Sequence, residues 1–275
     1  PYYGWLALLL KYFLEIKIVL HAHNIEANRF HTVGKWWWKI LWYYEQWIHR
    51  NANTNFFIHN DDRNYAINHF GLNPSKCFTI TYGIEWSRPP SVEERKINGD
   101  IIRHKHGVPQ NHQLFLFNGA FDYKPNEEAL GIIINQINPL LTAANYPYSI
   151  LICGRNIPPA FTRKKIPNII IAGFVEDVSA YFKAADVFMN PITDGGGIKT
   201  KLVEALGYNV NCVSTPHGAI GIDRGICGNK LKIVNDWNSF ALAVTEISKV
   251  KTDIPDEYYE HFYWENIARK AAESI

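Results

Sequence analysis

The sequence predicts an α/β protein with two lobes, each built on a doubly wound parallel sheet that helices cover on both faces. Strand patterns alternate with helix patterns along most of the chain. The strand patterns are almost wholly apolar, which is typical of parallel strands buried on both faces. The length of 275 residues exceeds a typical single domain of about 100–200 residues, which favours two domains.

The first lobe is predicted over residues 1–90. Apolar periodicity predicts its helices, and runs of β-branched and aromatic residues predict its strands. Asp61 and Asp62 open a helix that Gly71 ends. Pro89-Pro90, followed by a charged run, predicts an exposed linker and therefore the lobe boundary. The predicted helices cover 2–14, 35–51 and 61–69, and the predicted strands cover 16–21, 55–59 and 78–82.

The second lobe is predicted over residues 91–257 and opens with a helical approach. Pro125 starts a helix with Glu127 and Glu128 in its first turn, where the helix dipole favours acidic residues. The other helices of this lobe follow from the same apolar periodicity. The predicted strands cover 113–118, 148–153, 168–172, 187–190, 210–214 and 231–234, and the predicted helices include 125–137, 177–185 and 237–249.

Composition excludes several classes of protein. A formal net charge of +2 argues against a nucleic-acid binder, which carries a dense basic patch. The four cysteines lie far apart with no C-x-x-C pair, which indicates buried thiols, no zinc and a reducing, cytoplasmic location. The apolar stretch Tyr2 to Leu10 is shorter than the roughly 20 residues of a transmembrane helix and lacks signal-peptide features. Because the chain starts at Pro1 inside an apolar pattern, we expect a domain whose beginning is missing.

Residues 194–207, Asp-Gly-Gly-Gly-Ile-Lys-Thr-Lys-Leu-Val-Glu-Ala-Leu-Gly, are the segment most informative about function. Gly195–Gly197 lead into a predicted helix, and backbone N–H groups at a helix N-terminus favour an anion. Lys199 and Lys201 add two positive charges beside them. The alternative is a flexible turn before a surface helix with solvated lysines. The segment follows the predicted strand 187–190, and ligands of such folds bind at the carboxyl ends of strands.

Eight segments, in order, resemble those of GT-B glycosyltransferases, most closely glycosyltransferase family 4 in its Gly-Gly-Gly loop branch. They are distributed along the sequence, so the resemblance extends over nearly the whole chain. Any one of them is a weak signal, whereas the ordered set is a strong one. The first lobe contributes Leu20–Glu26 and Tyr82–Ile84; the second contributes Phe117–Asn126, Ile152–Arg155, Ala172–Asp177, Ala185–Pro191 and Ser214–Ala219; the last is the helix around 262–275.

The resemblance implies the GT-B fold, in which two Rossmann-like lobes face a cleft. It implies that residues 258–275 form a helix crossing back to the first lobe, and that this lobe is N-terminally truncated and lacks part of its acceptor site. The implied activity is that of a retaining, metal-independent, hexosyltransferase-like enzyme of polysaccharide biosynthesis. It would move a sugar from a nucleoside-diphosphate sugar to a hydroxyl of a glycan, lipid-linked or polysaccharide precursor. It would need no cofactor, no metal and no nucleic acid.

The resemblance also assigns roles to residues of the second lobe. Lys199 and Lys201, with the glycine amides, would neutralise the donor diphosphate, and Glu204 would bind the ribose hydroxyls through two acceptor oxygens. The alternatives are solvated lysines and a helix-surface glutamate. The resemblance also implies that Lys124 and Arg155 contact the donor phosphates, and that Val175 and Glu176 contact the nucleotide base.

The donor-sugar contacts are less well defined. His23 and Asn24 match the family positions at the donor sugar, although a histidine ending an apolar strand could be structural, and His21 lies two residues away. Gly196 stands where the family often has a sugar-binding glutamate, so Asp194 or the glycine amides would substitute. The residues predicted to act in catalysis are therefore His23, Lys201 and Glu204. Glu26 is interpreted as a structural partner of Arg29 at a helix N-terminus.

A tryptophan-rich helix follows at Lys35 to Tyr44. Lysines beside exposed aromatic residues are typical of a helix at a membrane surface, and packing against a missing N-terminal segment is the alternative. One face is predicted to be core, with Trp37, Ile40, Leu41, Tyr44 and Ile48. A second face, with Trp36, Tyr43 and Trp47, is predicted to stay exposed. If this helix lies at a membrane surface, we expect the protein to make peripheral contact with the inner face of the membrane.

Other functions remain as alternatives. A GT-B epimerase or phosphorylase would use the same nucleotide site, and a catalytically inactive relative would bind the nucleotide sugar without turnover. A dinucleotide oxidoreductase is weaker, because no G-x-G-x-x-G follows a predicted strand. The sequence also has no Asp-x-Asp pair, which agrees with a transferase that does not use a metal ion.

Overall fold

The computed structural model describes residues 2–163 and 165–275. The chain divides into two compact units. One contains the chain up to Gly83 together with Gly195–Ile198 and His261–Ile275, and the other contains Ile84–Asp194 and Lys199–Glu260. The short segment Gly195–Ile198 therefore belongs to the first unit, although it lies within the sequence of the second.

A three-stranded parallel sheet in the order β1-β2-β3 forms the centre of the first unit. Phe57, Phe70 and Leu72 are buried in its core. Helix α4 (Asn60–Tyr65) continues as a π-helical segment, Ala66–Phe70, and ends at Gly71, whose φ of 68° favours glycine. The strands are β1 (Val19–Ala22), β2 (Thr54–Phe57) and β3 (Cys77–Thr79); the helices are α1 (Gly4–Leu14), α2 (Glu26–Thr32), α3 (Trp38–Asn51) and α4 (Asn60–Tyr65).

The buried face of α3 differs from the predicted one at Ile40. Leu41 and Ile48 are buried as predicted, but Ile40 is 66% exposed. The buried stripe runs through Glu45 and His49 as well. Because these two polar residues occupy the inward face, the stripe is rotated away from Ile40. Trp36, Tyr43 and Trp47 are exposed, as the sequence predicts.

A six-stranded parallel sheet forms the second unit, in the order β6-β5-β4-β7-β8-β9. The direction of winding reverses between β4 and β7, which is where ligands bind in doubly wound folds. The strands are β4 (Gln113–Ala120), β5 (Tyr148–Arg155), β6 (Ile169–Gly173), β7 (Val187–Asn190), β8 (Asn211–Ser214) and β9 (Leu231–Ile233); the helices are α5 (Val92–His106), α6 (Lys124–Ile132), α7 (Asn138–Ala143), α8 (Pro159–Thr162), α9 (Val178–Ala184), α10 (Thr200–Gly207) and α11 (Trp237–Ile247).

Both faces of this sheet are buried, as the apolar strand patterns predict. On β4, Phe115 and Phe117 pack into a cluster with Phe240 of α11, whereas Leu114 and Leu116 are buried on alternate positions. Helix α5 begins with a capping box in which Ser91 and Glu94 bond each other's backbone N–H groups.

Two last helices complete the chain, α12 (Asp256–Phe262) and α13 (Trp264–Glu273). Ile267 of α13 packs with Phe56 and Ile80 in the first unit. A Cβ atom at Gly83 would lie 2.7 Å from Ile267 and 2.8 Å from Trp264. Glycine at position 83 therefore permits α13 to pack closely within the first unit. No helix among the described residues is long and apolar enough to span a membrane.

Candidate active site

The glycine loop, Gly195–Gly197, adopts a backbone that only glycine accepts easily. Gly195 has a φ of 91° and Gly197 a φ of 70°. A Cβ atom at Gly197 would lie 2.7 Å from Asn24 Oδ1, and one at Gly196 would lie 3.1 Å from the same oxygen. The loop thus packs tightly against Asn24, and a side chain at position 196 would require Asn24 to shift by a few tenths of an ångström.

Asn24 presents a polar atom without a partner at this loop. Its Oδ1 is buried and accepts no hydrogen bond from any residue that the structure describes. A buried acceptor left unbonded costs roughly 1–3 kcal/mol. A ligand hydroxyl that donates to Asn24 Oδ1 would recover this free energy.

His21 and His23 occupy different environments at the end of β1. His21 Nε2 lies 3.2 Å from the Ile80 carbonyl oxygen, and burial lowers the pKa of His21. His23 is exposed, with its ring centroid 5.1 Å from that of His21. The side chain of His21 is exposed as well, so this hydrogen bond orients its ring without burying it, and both histidines are accessible to a ligand.

Glu45 is a residue that sequence reasoning missed. Its carboxylate, fully buried on α3, accepts hydrogen bonds from the backbone N–H groups of Glu26 (3.0 Å) and Ala27 (2.7 Å). It thereby caps the N-terminus of α2, which directly follows the segment containing His23 and Asn24. The signal in the sequence is an acidic residue four positions after Leu41 and three before Ile48, on the buried face.

Glu26 and Arg29 form the ion pair that the sequence predicts, with Arg29 Nη2 2.5 Å from Glu26 Oε2. Tyr2 also donates a hydrogen bond to this carboxylate. The pair lies on α2, a short helix that apolar periodicity in the sequence does not predict. These contacts support a structural role for Glu26.

We expect Glu45 to make stability depend on pH. Burial raises the pKa of Glu45 from 4.5 to about 7, and its two backbone hydrogen bonds oppose the rise. A carboxyl group with a higher pKa in the folded state stabilises fully below pH 4.5, and this stabilisation is lost as the pH rises towards 7. The predicted loss is roughly 3 kcal/mol across that window. Urea unfolding followed by tryptophan fluorescence measures it.

The Glu45→Gln variant is the control for that titration, because it has no ionisable group at position 45. The free energy of unfolding of the wild type minus that of the variant should fall between pH 4.5 and 7 and stay constant above pH 7. A difference that is flat or rises over this range would contradict the assignment.

The first turn of α10 contains the predicted cations. Lys199 occupies the N-cap position, and burial lowers its pKa to about 8, with Asp194 opposing. Lys201 is partly buried, and its charge acts on the Cys153 thiol, whose pKa burial raises to about 12. Cys153 lies near the carboxyl end of β5. Lys201 therefore lies at the sheet edge where ligands bind in this topology.

Helix α10 is held firmly at its other end. The Tyr259 hydroxyl and the Trp86 Nε1–H both donate to the Gly207 carbonyl at 2.8 Å, and the Tyr258 hydroxyl donates to the Val203 carbonyl at 2.6 Å. Glu204 lies one turn after Lys201 and is partly buried. These contacts fix the helix that presents Lys201 and Glu204.

The other predicted contacts are more exposed. Lys124 has a side chain 82% exposed and pairs with Glu128, and Arg155 lies 3.9 Å from Asp122. Val175, partly buried, and the exposed Glu176 lie between β6 and α9. Asp194 is exposed. In the second unit the structure thus places Lys199, Lys201 and Glu204 on one fixed helix, and Lys124 and Arg155 on the surface.

Two family models match most of the chain. One, for group 1 glycosyl transferases, matches residues 112–249, and one for glycosyltransferase family 4 matches residues 1–88. The chain belongs to the group 1 glycosyl transferases.

Several solved structures, two of them described as glycosyltransferases, share the fold of this chain. Anabaena HepE, solved with UDP and glucose, has a TM-score of 0.70 at 13% identity, covering 98% of this chain and 74% of HepE. A Rickettsia africae glycosyltransferase has a TM-score of 0.65 at 12% identity, covering 98% of this chain and 79% of that protein. WaaG, a glycosyltransferase involved in lipopolysaccharide biosynthesis, has a TM-score of 0.64 at 14% identity, covering 99% and 81%. These likenesses confirm the predicted GT-B fold.

A curated relative of this glycosyltransferase is an uncharacterized 44.6 kDa protein in the cps region of Klebsiella pneumoniae. It is 27% identical over 143 residues, which are 49% of this chain and 37% of that protein. The matched segment therefore spans little more than a third of the curated relative.

Proposed function

We propose that this glycosyltransferase moves a sugar from a nucleoside-diphosphate sugar to a hydroxyl acceptor, with retention of anomeric configuration and without a metal ion or other cofactor. The observation that carries the proposal is the first turn of α10. A glycine loop leads into a helix N-terminus that bears Lys199 and Lys201, at the carboxyl edge of a doubly wound sheet. This arrangement suits an anionic ligand.

The chemistry of the leaving group explains the need for these cations. As the glycosidic bond to the diphosphate breaks, negative charge develops on the departing nucleoside diphosphate. Lys201, Lys199 and the α10 N–H groups would stabilise that charge without reorganising. A pKa of about 8 leaves Lys199 largely protonated at pH 7. Together these cations would do what a metal ion does in metal-dependent transferases, with Lys124 and Arg155 as outer contacts.

The nucleoside would bind through neighbouring groups of the second unit. Glu204 has two carboxylate oxygens, which suit the two hydroxyls of a ribose. Val175 and Glu176, after the end of β6, would meet the base. Because α10 is held by Tyr258, Tyr259 and Trp86, Glu204 would be in place before the nucleotide binds.

The donor sugar would bind at His23 and Asn24, with Asp194 and the glycine amides as further contacts. The buried Asn24 Oδ1 offers an acceptor for a sugar hydroxyl. His23, exposed beside it, would orient the sugar or stabilise charge during transfer. Glu45 would hold the backbone that positions both residues.

A thermal-shift panel tests donor binding directly. UDP is the first candidate, because HepE was solved with UDP and glucose; GDP, ADP and CMP, with their sugar conjugates, complete the panel. A ligand at about 100 times its Kd stabilises the folded state by about 2.7 kcal/mol, so one diphosphate should raise Tm by several degrees, and more than its monophosphate does. A panel in which no nucleotide raises Tm would contradict the proposal.

The same donors distinguish the alternative functions. A transferase forms a new glycoside with a hydroxyl acceptor, such as a glycan or a lipid-linked polysaccharide precursor. An epimerase would convert the donor sugar without an acceptor, a phosphorylase would need inorganic phosphate, and an inactive relative would bind without turnover. Mass spectrometry of the products separates these outcomes.

We also propose peripheral membrane contact through an aromatic surface of the first unit. Trp36 is 84% exposed, and Tyr43 and Trp47 are exposed on α3. Lys35 and Lys39 are exposed beside them, and basic residues flanking aromatic ones favour an anionic lipid surface. Such contact would bring the enzyme to a lipid-linked acceptor.

Vesicle flotation checks this contact. The wild type should float with anionic vesicles, and the double variant Trp36→Ala, Trp47→Ala should lose most of that binding because it removes the two largest exposed rings. Leu242→Ala, which shortens an exposed apolar residue of α11, is the control and should float like the wild type. Equal flotation of all three would contradict membrane contact through this surface.

A further inference from the structure

A cavity lies at the edge of the six-stranded sheet opposite the first turn of α10. Its volume is about 510 Å³, within the roughly 300–1,000 Å³ of small-molecule sites. Asp186, Asn211 and Lys230 line it; they precede or begin β7, β8 and β9. The cavity is therefore at the amino ends of these strands, away from the predicted diphosphate contacts.

Two cations of this cavity have hydrogen-bond donors to spare. Lys230 is only 4% exposed, and its Nζ donates to the Asn209 carbonyl at 3.1 Å. Arg95 is partly buried and donates to the carbonyls of Tyr208 (2.8 Å) and Ala185 (2.7 Å). An ammonium has three donors and a guanidinium five, so both groups retain N–H bonds for a ligand.

The two carboxylates of the lining accept hydrogen bonds from groups other than Arg95 and Lys230. Asp186 accepts hydrogen bonds from Arg103 Nη2 (3.0 Å) and from the Leu114 backbone N–H (2.8 Å). Asp253 accepts from the Asn209 side chain. Within the described part of the chain, neither Arg95 nor Lys230 lies in an ion pair. The charges of Asp186 and Asp253 act on Arg95, and that of Asp253 acts on Lys230, but neither cation is in direct contact with a carboxylate that the structure describes. Burial lowers the pKa of Lys230 to about 8.

Asn211 adds an unused acceptor to the same cavity. Its Nδ2 donates to the Val250 carbonyl at 3.2 Å, which fixes the orientation of the amide. Its Oδ1 is buried and has no hydrogen-bond partner among the residues that the structure describes. At the rim, Lys251 is exposed and contributes a third positive charge. The lining thus offers several donors to an anion and one acceptor to a hydroxyl.

We propose that this cavity binds a phosphate monoester that also carries hydroxyl groups, the class of ligand to which sugar phosphates belong. Its phosphate oxygens accept from Arg95 and Lys230, and a hydroxyl donates to Asn211 Oδ1. The simpler role of both cations is to bind the carbonyls of Tyr208 and Asn209 after α10, and it leaves the spare donors and the Asn211 oxygen unexplained. Because the cavity adjoins the C-terminal end of α10, its ligand and the donor diphosphate occupy separate sites.

Isothermal titration of the full chain with glycerol 3-phosphate tests the proposal. The wild type should bind with a Kd below about 1 mM, and Lys251→Glu should weaken binding about tenfold by placing a negative charge at the rim. Lys249→Glu reverses an equally exposed charge that does not line the cavity and should bind like the wild type. Lys201→Ala, at the other end of α10, should also leave the Kd unchanged.

Three results would overturn the proposal. The first is no binding up to about 10 mM. The second is equal binding by Lys251→Glu and Lys249→Glu, which would show that the rim charge is not near the ligand. The third is loss of binding in Lys201→Ala with retention in Lys251→Glu, which would place the phosphate at the donor site.

Discussion

Replacing Lys201 with alanine should lower the rate of sugar transfer by about 10²–10³-fold, the usual cost of removing one preorganised group that stabilises developing charge. Lys201 is partly buried in the first turn of α10 and acts on Cys153 near the end of β5. Water that fills the space in the variant would not compensate for the lost charge, because a partly desolvated ammonium interacts more strongly with an anion than a solvated one does. Steady-state kinetics with the donor selected by the nucleotide panel measure the effect.

Lys183→Ala is the matched control for that experiment. Lys183 lies on α9 in the same unit and pairs with Glu94 at 3.8 Å. Its loss removes one positive charge from the unit without touching α10, so the transfer rate should change less than about twofold. Equal rates for Lys201→Ala and wild type would remove Lys201 from the mechanism.

Replacing Gly154 with alanine should lower the free energy of unfolding by about 4 kcal/mol or more, an exceptional value for one substitution. A Cβ atom at Gly154 would lie 1.8 Å from the Gly119 carbonyl oxygen, and its φ of 142° is one that residues with side chains rarely adopt. Gly119 and Gly154 are paired in register across β4 and β5. Neither strand can retreat, because both are buried in the sheet.

Gly131→Ala provides the comparison for stability. Gly131 lies in α6, and a Cβ atom there would meet no atom within 4 Å. Alanine favours a helix over glycine by up to about 1 kcal/mol, so this variant should be as stable as the wild type or more so. Urea denaturation measures both variants; Gly154→Ala with wild-type stability would mean that β4 and β5 are not paired as described.

The six-stranded sheet could be predicted because each of its strands is a short apolar run between polar turns. Burial on both faces leaves no polar alternation to confuse with a helix. The ends of the helices were less predictable than the strands. The helix predicted over 125–137 continues through a π-helical segment and α7 to Ala143. Pro139 suggests a break, but the backbone stays helical there, and the change from the π-helical segment to α7 occurs at this point, with Pro139 in the first turn of α7.

Helix α2 shows what single-sequence patterns leave out. It has seven residues, and Ile25 before it supplies no side-chain cap. Its first N–H groups are bonded by Glu45, which lies 18 residues after Ala27 on another helix. A tertiary contact therefore stabilises a helix that is too short to form alone.

The candidate binding sites also differ in how far the sequence predicts them. The glycine loop, Lys199, Lys201 and Glu204 are contiguous in sequence, so their spacing alone predicts a common location. The cavity at the amino ends of β7, β8 and β9 is lined by Arg95, Lys230 and Asn211 from separate parts of the chain, and only the folded sheet brings them together. The roles of His23, Asn24 and Asp194 remain predictions that depend on the bound sugar.

The most direct test of the diphosphate site compares two ligands in two proteins. Isothermal titration measures the Kd of the preferred nucleoside diphosphate and of its monophosphate for the wild type and for Lys201→Ala. If Lys201 binds the diphosphate, the wild type should prefer the diphosphate, and the variant should lose most of that preference while keeping its affinity for the monophosphate within a few-fold. A variant that keeps the full preference, or that weakens both ligands equally, would contradict a diphosphate site at the N-terminus of α10.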